Sequence, residues 1–163
     1  VDCPLDPEAL RALDVAVLAL RDAGHLVDTW DWTPLPGYVD SFSVMWQAST
    51  TGLELSEQEK NTVEPLTRYL IDRGGEVRGD TLVKTVSWLR RFEHDTISQM
   101  AGYDAILTPG LATPPVPIGF LDDTDAERNF VQQIQFTPYT SFVNVCGLPA
   151  LALPSHHTDG GLP

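Results

Sequence analysis

The sequence predicts an α/β fold, a mixed β-sheet flanked by helices. Three features point there. Segments with apolar residues at spacings of three and four alternate with short apolar runs. Glycine and proline bracket those runs, as they bracket strands. Helix followed by strand, repeated, is the arrangement in which helices cover a sheet.

The first helix is well punctuated. Asp6 can cap it, Pro7 suits its first position, and Glu8 favours the positive end of the helix dipole. Leu10, Leu13, Val17 and Leu20 form its apolar stripe, and Gly24 ends it. His25 to Trp30 reads as a short strand, closed by Pro34, Pro36 and Gly37. A second helix is expected over Val39 to Ser49, with Val39, Phe42 and Trp46 on one face. Ser56 and Glu59 have capping-box spacing. Pro65 opens another helix, with Leu66 and Leu70 on one face and Gly74 and Gly75 after it as turn residues. Asp80 can cap the longest helix, Thr81 to Met100, which Gly102 stops.

Tyr103 to Thr108 reads as a strand buried on both faces, because Ala105, Ile106 and Leu107 form a continuous apolar run. Pro109, Pro114, Pro115 and Pro117 make a stiff loop that cannot join a ladder. Asp122, Asp123, Asp125 and Glu127 form an acidic surface stretch. A helix is expected from Pro138 towards Val145, with Thr137 as cap and Gly147 as stop. Ala150 to Leu153 reads as a second buried strand. Asp159 to Pro163 reads as a turn leading into a further strand.

Composition bounds the function. The chain has 163 residues, enough for one domain with its own core. Apolar residues make up 42 % and charged residues 20 %, which is globular rather than disordered. Ten basic residues against 23 acidic ones leave a net charge of −13, so no nucleic-acid footprint and no attraction to anionic membrane is expected. No apolar run reaches the roughly 18 residues of a membrane span. Cys3 and Cys146 are too few for a disulfide framework or a cysteine zinc site. With no secretory leader pattern, a cytoplasmic setting is the default.

The usual chemical motifs are absent. There is no Gly-x-Ser-x-Gly elbow, no phosphate-cradling Gly-rich loop before a lysine, and no dinucleotide fingerprint. His156 and His157 are adjacent in a polar stretch, where neighbouring side chains diverge, and they read as surface residues. His25 follows a helix end and His94 sits among Glu93 and Asp95 on a solvated face. Cys146 lies at a helix end, the wrong polarity for lowering a thiol pKa, and reads as core. The acidic stretch lacks the ligand spacing of a calcium loop. Phe42, Trp46 and Trp88 could line an acyl or aryl pocket, but their helical spacing favours core packing.

Three stretches together resemble the amidase signature family. They are Tyr103-Asp-Ala-Ile-Leu-Thr-Pro109 with its proline-rich loop and Ile118-Gly119, Asn144-Val-Cys-Gly-Leu-Pro-Ala-Leu-Ala-Leu-Pro154, and Gly160-Gly-Leu-Pro163. The opening helix, the Gly24-His25 to Asp28 segment and the helix start at Leu66-Thr-Arg68 also look like the family's pattern. The resemblance implies hydrolysis of a small-molecule carboxylic amide without a metal or organic cofactor. It implies a Ser–cisSer–Lys triad, in which lysine acts through a bridging serine on the nucleophile, and a glycine-rich loop that holds the oxyanion. No residue of this chain matches that triad, and Lys60 and Lys84 are its only lysines.

The resemblance therefore implies a single partial domain over residues 1–163, the C-terminal segment of an amidase cut at both ends. Such a piece would be inactive alone and would need the remainder of the amidase to complete site and sheet. Its unpaired strand edges would favour a homo-oligomer. Substrate-pocket candidates are Thr108 and Pro109, at the end of a strand, where α/β sheets place ligands. Ser141 and Asn144, on the helix before the next strand, and Phe42 and Trp46, as acyl walls, complete the set. Two other readings remain: the A subunit of a tRNA-dependent amidotransferase, and a non-catalytic binding or scaffold fragment.

Overall fold

In a computed structural model, residues 3–162 are described. They form seven helices: α1 (Pro7–Asp22), α2 (Tyr38–Thr50), α3 (Glu57–Lys60), α4 (Pro65–Gly75), α5 (Gly79–Met100), α6 (Ala126–Phe136) and α7 (Ser141–Val145). Among the described residues there is no β-strand, so the expected α/β mixed sheet is not present and this part of the chain is helical.

The physical reason is that a helix closes its own hydrogen bonds and a strand cannot. The runs read as strands, 25–30, 103–108 and 150–153, form no ladder. Their apolar side chains face outward instead: Leu26 is 99 % exposed, Leu151 81 % and Leu153 73 %. The first run is fastened by side chains. Tyr103 donates its hydroxyl to the Thr29 carbonyl at 3.2 Å. The Trp30 indole donates to the Gln99 carbonyl at 3.2 Å. Just beyond that run, the Gln99 carboxamide bridges the Thr33 backbone in both directions, at 3.0 and 3.1 Å. The expected turn at Asp159 to Pro163 is present through Gly161, where φ is 81°, and Pro163 lies outside the described residues.

Helix punctuation follows the sequence at several ends. The Asp6 carboxylate accepts from the Glu8 N–H at 2.8 Å, and Gly24 turns the chain with φ 90°. Ser56 and Glu59 form a complete capping box, on a helix only four residues long. Other ends differ. Asp80 does not cap α5; it lies in the first turn, paired with Arg78 and Lys84 at 3.0 and 3.7 Å. The helix expected from Pro138 shrinks to Ser141–Val145. The acidic stretch runs into α6, whose N-cap Asp125 accepts from the Arg128 N–H at 3.0 Å.

Gly74 is not a turn residue. It is buried inside α4 with a helical backbone, and α4 packs there on α2. A Cβ at Gly74 would stand 2.1 Å from the Gln47 carbonyl oxygen, so the missing side chain sets how closely the two helices approach. α2 also packs on α5, and α4 on α6, which makes α2 and α4 the inner pair. One buried cluster, Phe92, Phe142 and Cys146, gathers Trp30, Trp32, Tyr38 and Trp88 around it. Leu70, Ile71, Asn129 and Phe130 are buried on α4 and α6.

Candidate functional site

α2 carries a ladder of rings. Tyr38, Phe42 and Trp46 stand four residues apart, with successive centroids 5.8 and 5.6 Å apart. The ladder meets Phe92 of α5 at 4.5 Å at one end and Phe130 of α6 at 5.2 Å at the other. Phe42 and Trp46 are half-buried, so they are packing residues with one side still reachable.

α7 brings Ser141 to this ladder. Burial pushes the Tyr38 phenol up to about 12, while the Ser141 hydroxyl beside it pulls the other way. The contact falls short of a full hydrogen bond, because buried Tyr38 Oη has no partner of good geometry. Asn144 is exposed, one turn further along α7. The structure thus gathers Phe42, Trp46 and Ser141 along one line of contacts. Thr108 and Pro109 are half-buried elsewhere, and no hydrogen bond or ring contact joins them to that line. The loop after them is anchored at fully buried Ala112. Its N–H donates to the Phe136 carbonyl at 3.1 Å, and its carbonyl accepts from Asp6 at 2.9 Å.

Sequence reasoning passed over Tyr38, although its place four residues before Phe42 marked it. It also read His156 as a free surface residue. His156 Nε2 lies 2.9 Å from Glu8 Oε2, which also accepts from Arg11 Nε at 3.2 Å. Ser155 donates to the Ala12 carbonyl at 3.3 Å, so the late segment is laid along α1. Nothing local signals a contact between residues so far apart in sequence.

Cys146 is buried, and that burial raises its thiol pKa, with the Thr96 hydroxyl opposing. A thiol held protonated is a poor nucleophile. Among the described residues no group of three metal-ligating side chains comes together. Among those residues, too, no helix is long and apolar enough to cross a membrane. Lys60 and Lys84 are tied to Glu57 and Asp80, at 2.6 and 3.7 Å. Both lysines are therefore engaged by carboxylates on their own helices.

The sequence model of the amidase family matches residues 1–163. The chain belongs to the amidase family. A Mycobacterium leprae protein provisionally designated amidase AmiC is 30 % identical over 152 residues. Its Mycobacterium bovis and Mycobacterium tuberculosis namesakes are 26 % identical over the same length. Each alignment covers 88 % of this chain and 32 % of the relative, so the chain spans about a third of the curated relatives it matches. No solved structure matches it.

Proposed function

We propose that this chain is the C-terminal part of an amidase that cleaves a carboxylic amide to an acid and ammonia or an amine. The supporting observation is the family match over residues 1–163 in a chain with no lysine free beside a serine pair. In this reading the Ser–cisSer–Lys triad lies in the remainder of the protein. Lysine draws the proton through the bridging serine, and the nucleophilic serine attacks the amide carbon. Backbone N–H groups hold the oxyanion, the amine leaves protonated, and water releases the acid from the acyl-enzyme.

The surface supports a missing partner. The chain exposes 11137 Å². A compact monomer of 17.9 kDa exposes about 8,000 Å² by size scaling. The difference, about 3,000 Å², is the scale of an obligate interface. Leu26, Ile118, Leu151 and Leu153 are all more than 70 % exposed, in segments without regular structure. The remainder of the amidase is the proposed cover for those segments.

This chain would contribute one wall of the substrate pocket, through Thr108, Pro109, Ser141, Asn144, Phe42 and Trp46. The test is ammonia release from primary amides by the full-length protein and by Thr108→Val, Ser141→Ala and Asn144→Ala. A group that touches substrate should lower kcat/KM by about tenfold or more when removed. Unchanged kinetics in all three would overturn this placement of the pocket.

A further inference from the structure

We propose that Tyr38 is a positioning residue of the amide pocket: its phenol donates to Ser141 Oγ when an amide is bound, and Ser141 donates its own proton to the amide oxygen. The inference rests on the amidase reading and on its placement of Ser141 at the substrate.

Tyr38 Oη is buried and has no hydrogen-bond partner of good geometry among the described residues. A buried hydroxyl without a partner is costly, and few cores keep one. The Tyr38 ring is packed between Phe92 and Phe42, with centroids 4.5 and 5.8 Å away, so its hydroxyl has little freedom to find a partner elsewhere. The polar side chain beside it is Ser141. Phe142, next to Ser141 on α7, is buried in the cluster that Tyr38 packs against. Packing therefore holds the two hydroxyls side by side. Among the described residues the Ser141 hydroxyl has no other engagement.

The direction of the relay follows from protonation and access. Burial keeps the phenol protonated up to about 12, so at neutral pH it has a proton to donate. Phe42 and Phe92 offer that proton no oxygen or nitrogen, whereas Ser141 Oγ has lone pairs to receive it. Tyr38 Oη is shut off from solvent, so it reaches a bound amide only through a neighbour. Ser141 is half-buried and supplies that neighbour. A hydroxyl that accepts one hydrogen bond becomes a better donor of the next. An amide oxygen that draws the Ser141 proton leaves Ser141 Oγ free to accept from Tyr38. The orphaned phenol thus gains its partner in the bound state.

The experiment is a double-mutant cycle on the full-length protein, reading kcat/KM at pH 7 for ammonia release from benzamide and propionamide. Ser141→Ala is expected to lower kcat/KM by about tenfold or more, and Tyr38→Phe by roughly threefold to fivefold. In the Ser141→Ala background Tyr38→Phe should cost nothing further, because no hydroxyl remains to be held. Tyr38→Phe removes one atom without a partner, so its melting curve should match that of the unmodified protein. An equal loss from Tyr38→Phe in both backgrounds would make the phenol merely structural and overturn the proposal. Unchanged kinetics in Tyr38→Phe beside a slowed Ser141→Ala would overturn it too, and would leave the amidase reading standing. Unchanged kinetics in Ser141→Ala would take that serine away from substrate and the proposal with it. No ammonia from either amide with the unmodified protein would overturn the amidase reading and the proposal together.

Discussion

Gly74 and Gly75 are neighbours in sequence and make opposite demands. At Gly74 a Cβ would fall 2.1 Å from the Gln47 carbonyl, whereas at Gly75 it would meet nothing within 4 Å. Gly74→Ala must push α4 off α2 and should cost about 1–3 kcal/mol. Gly75→Ala sits in a helical turn with free space and should gain roughly 0.5–1 kcal/mol. Denaturant unfolding of the two variants checks both signs. Tyr38 makes a second case. Its phenol ordinarily titrates at 10 and is pushed up to about 12 by burial. The folded state therefore holds the proton more tightly than the unfolded chain. Stability from this group is intact below pH 10 and falls as pH rises towards 12. Tyr38→Phe should abolish that fall. It should also be close to neutral at pH 7, because it removes a buried hydroxyl with no partner. A large loss at neutral pH would show that Tyr38 Oη has a partner after all.

The helical elements were legible where their signals are local. Asp6, Pro7 and Gly24 mark α1 because caps and breakers act within one turn. α6 was missed although Asp125 capped it and Phe130 and Ile134 kept its spacing, because the acidic residues before it read as surface loop. Asp125→Ala should cost about 1 kcal/mol and fray the first turn of α6. Amide exchange at Arg128, whose N–H the carboxylate accepts, reads that directly. The strands were the failure. An apolar run such as Ala105 to Leu107 states that a segment expects burial. It does not by itself specify a strand, because a ladder needs a second segment beside it. In this structure Leu107 is 43 % exposed, and no ladder forms.

At the scale of the molecule, the candidate site was legible in part. Phe42, Trp46 and Ser141 come together through α2 and α7, and helical spacing was enough to place the first two on one face. Thr108 and Pro109 were placed by analogy with a sheet that the described residues do not form, and they stand apart. The exposed surface, 11137 Å², could not be read from composition at all, because apolar content says nothing about where cover is missing.

The central claim is that the chain belongs to an amidase whose reacting groups lie in the rest of the protein. Ammonia release from primary amides, measured with the 163-residue chain alone and with the full-length protein, tests it most directly. The account predicts turnover by the full-length protein and none above buffer by the chain alone. Steady turnover by the chain alone would contradict it, because the described residues hold no lysine free to activate a serine.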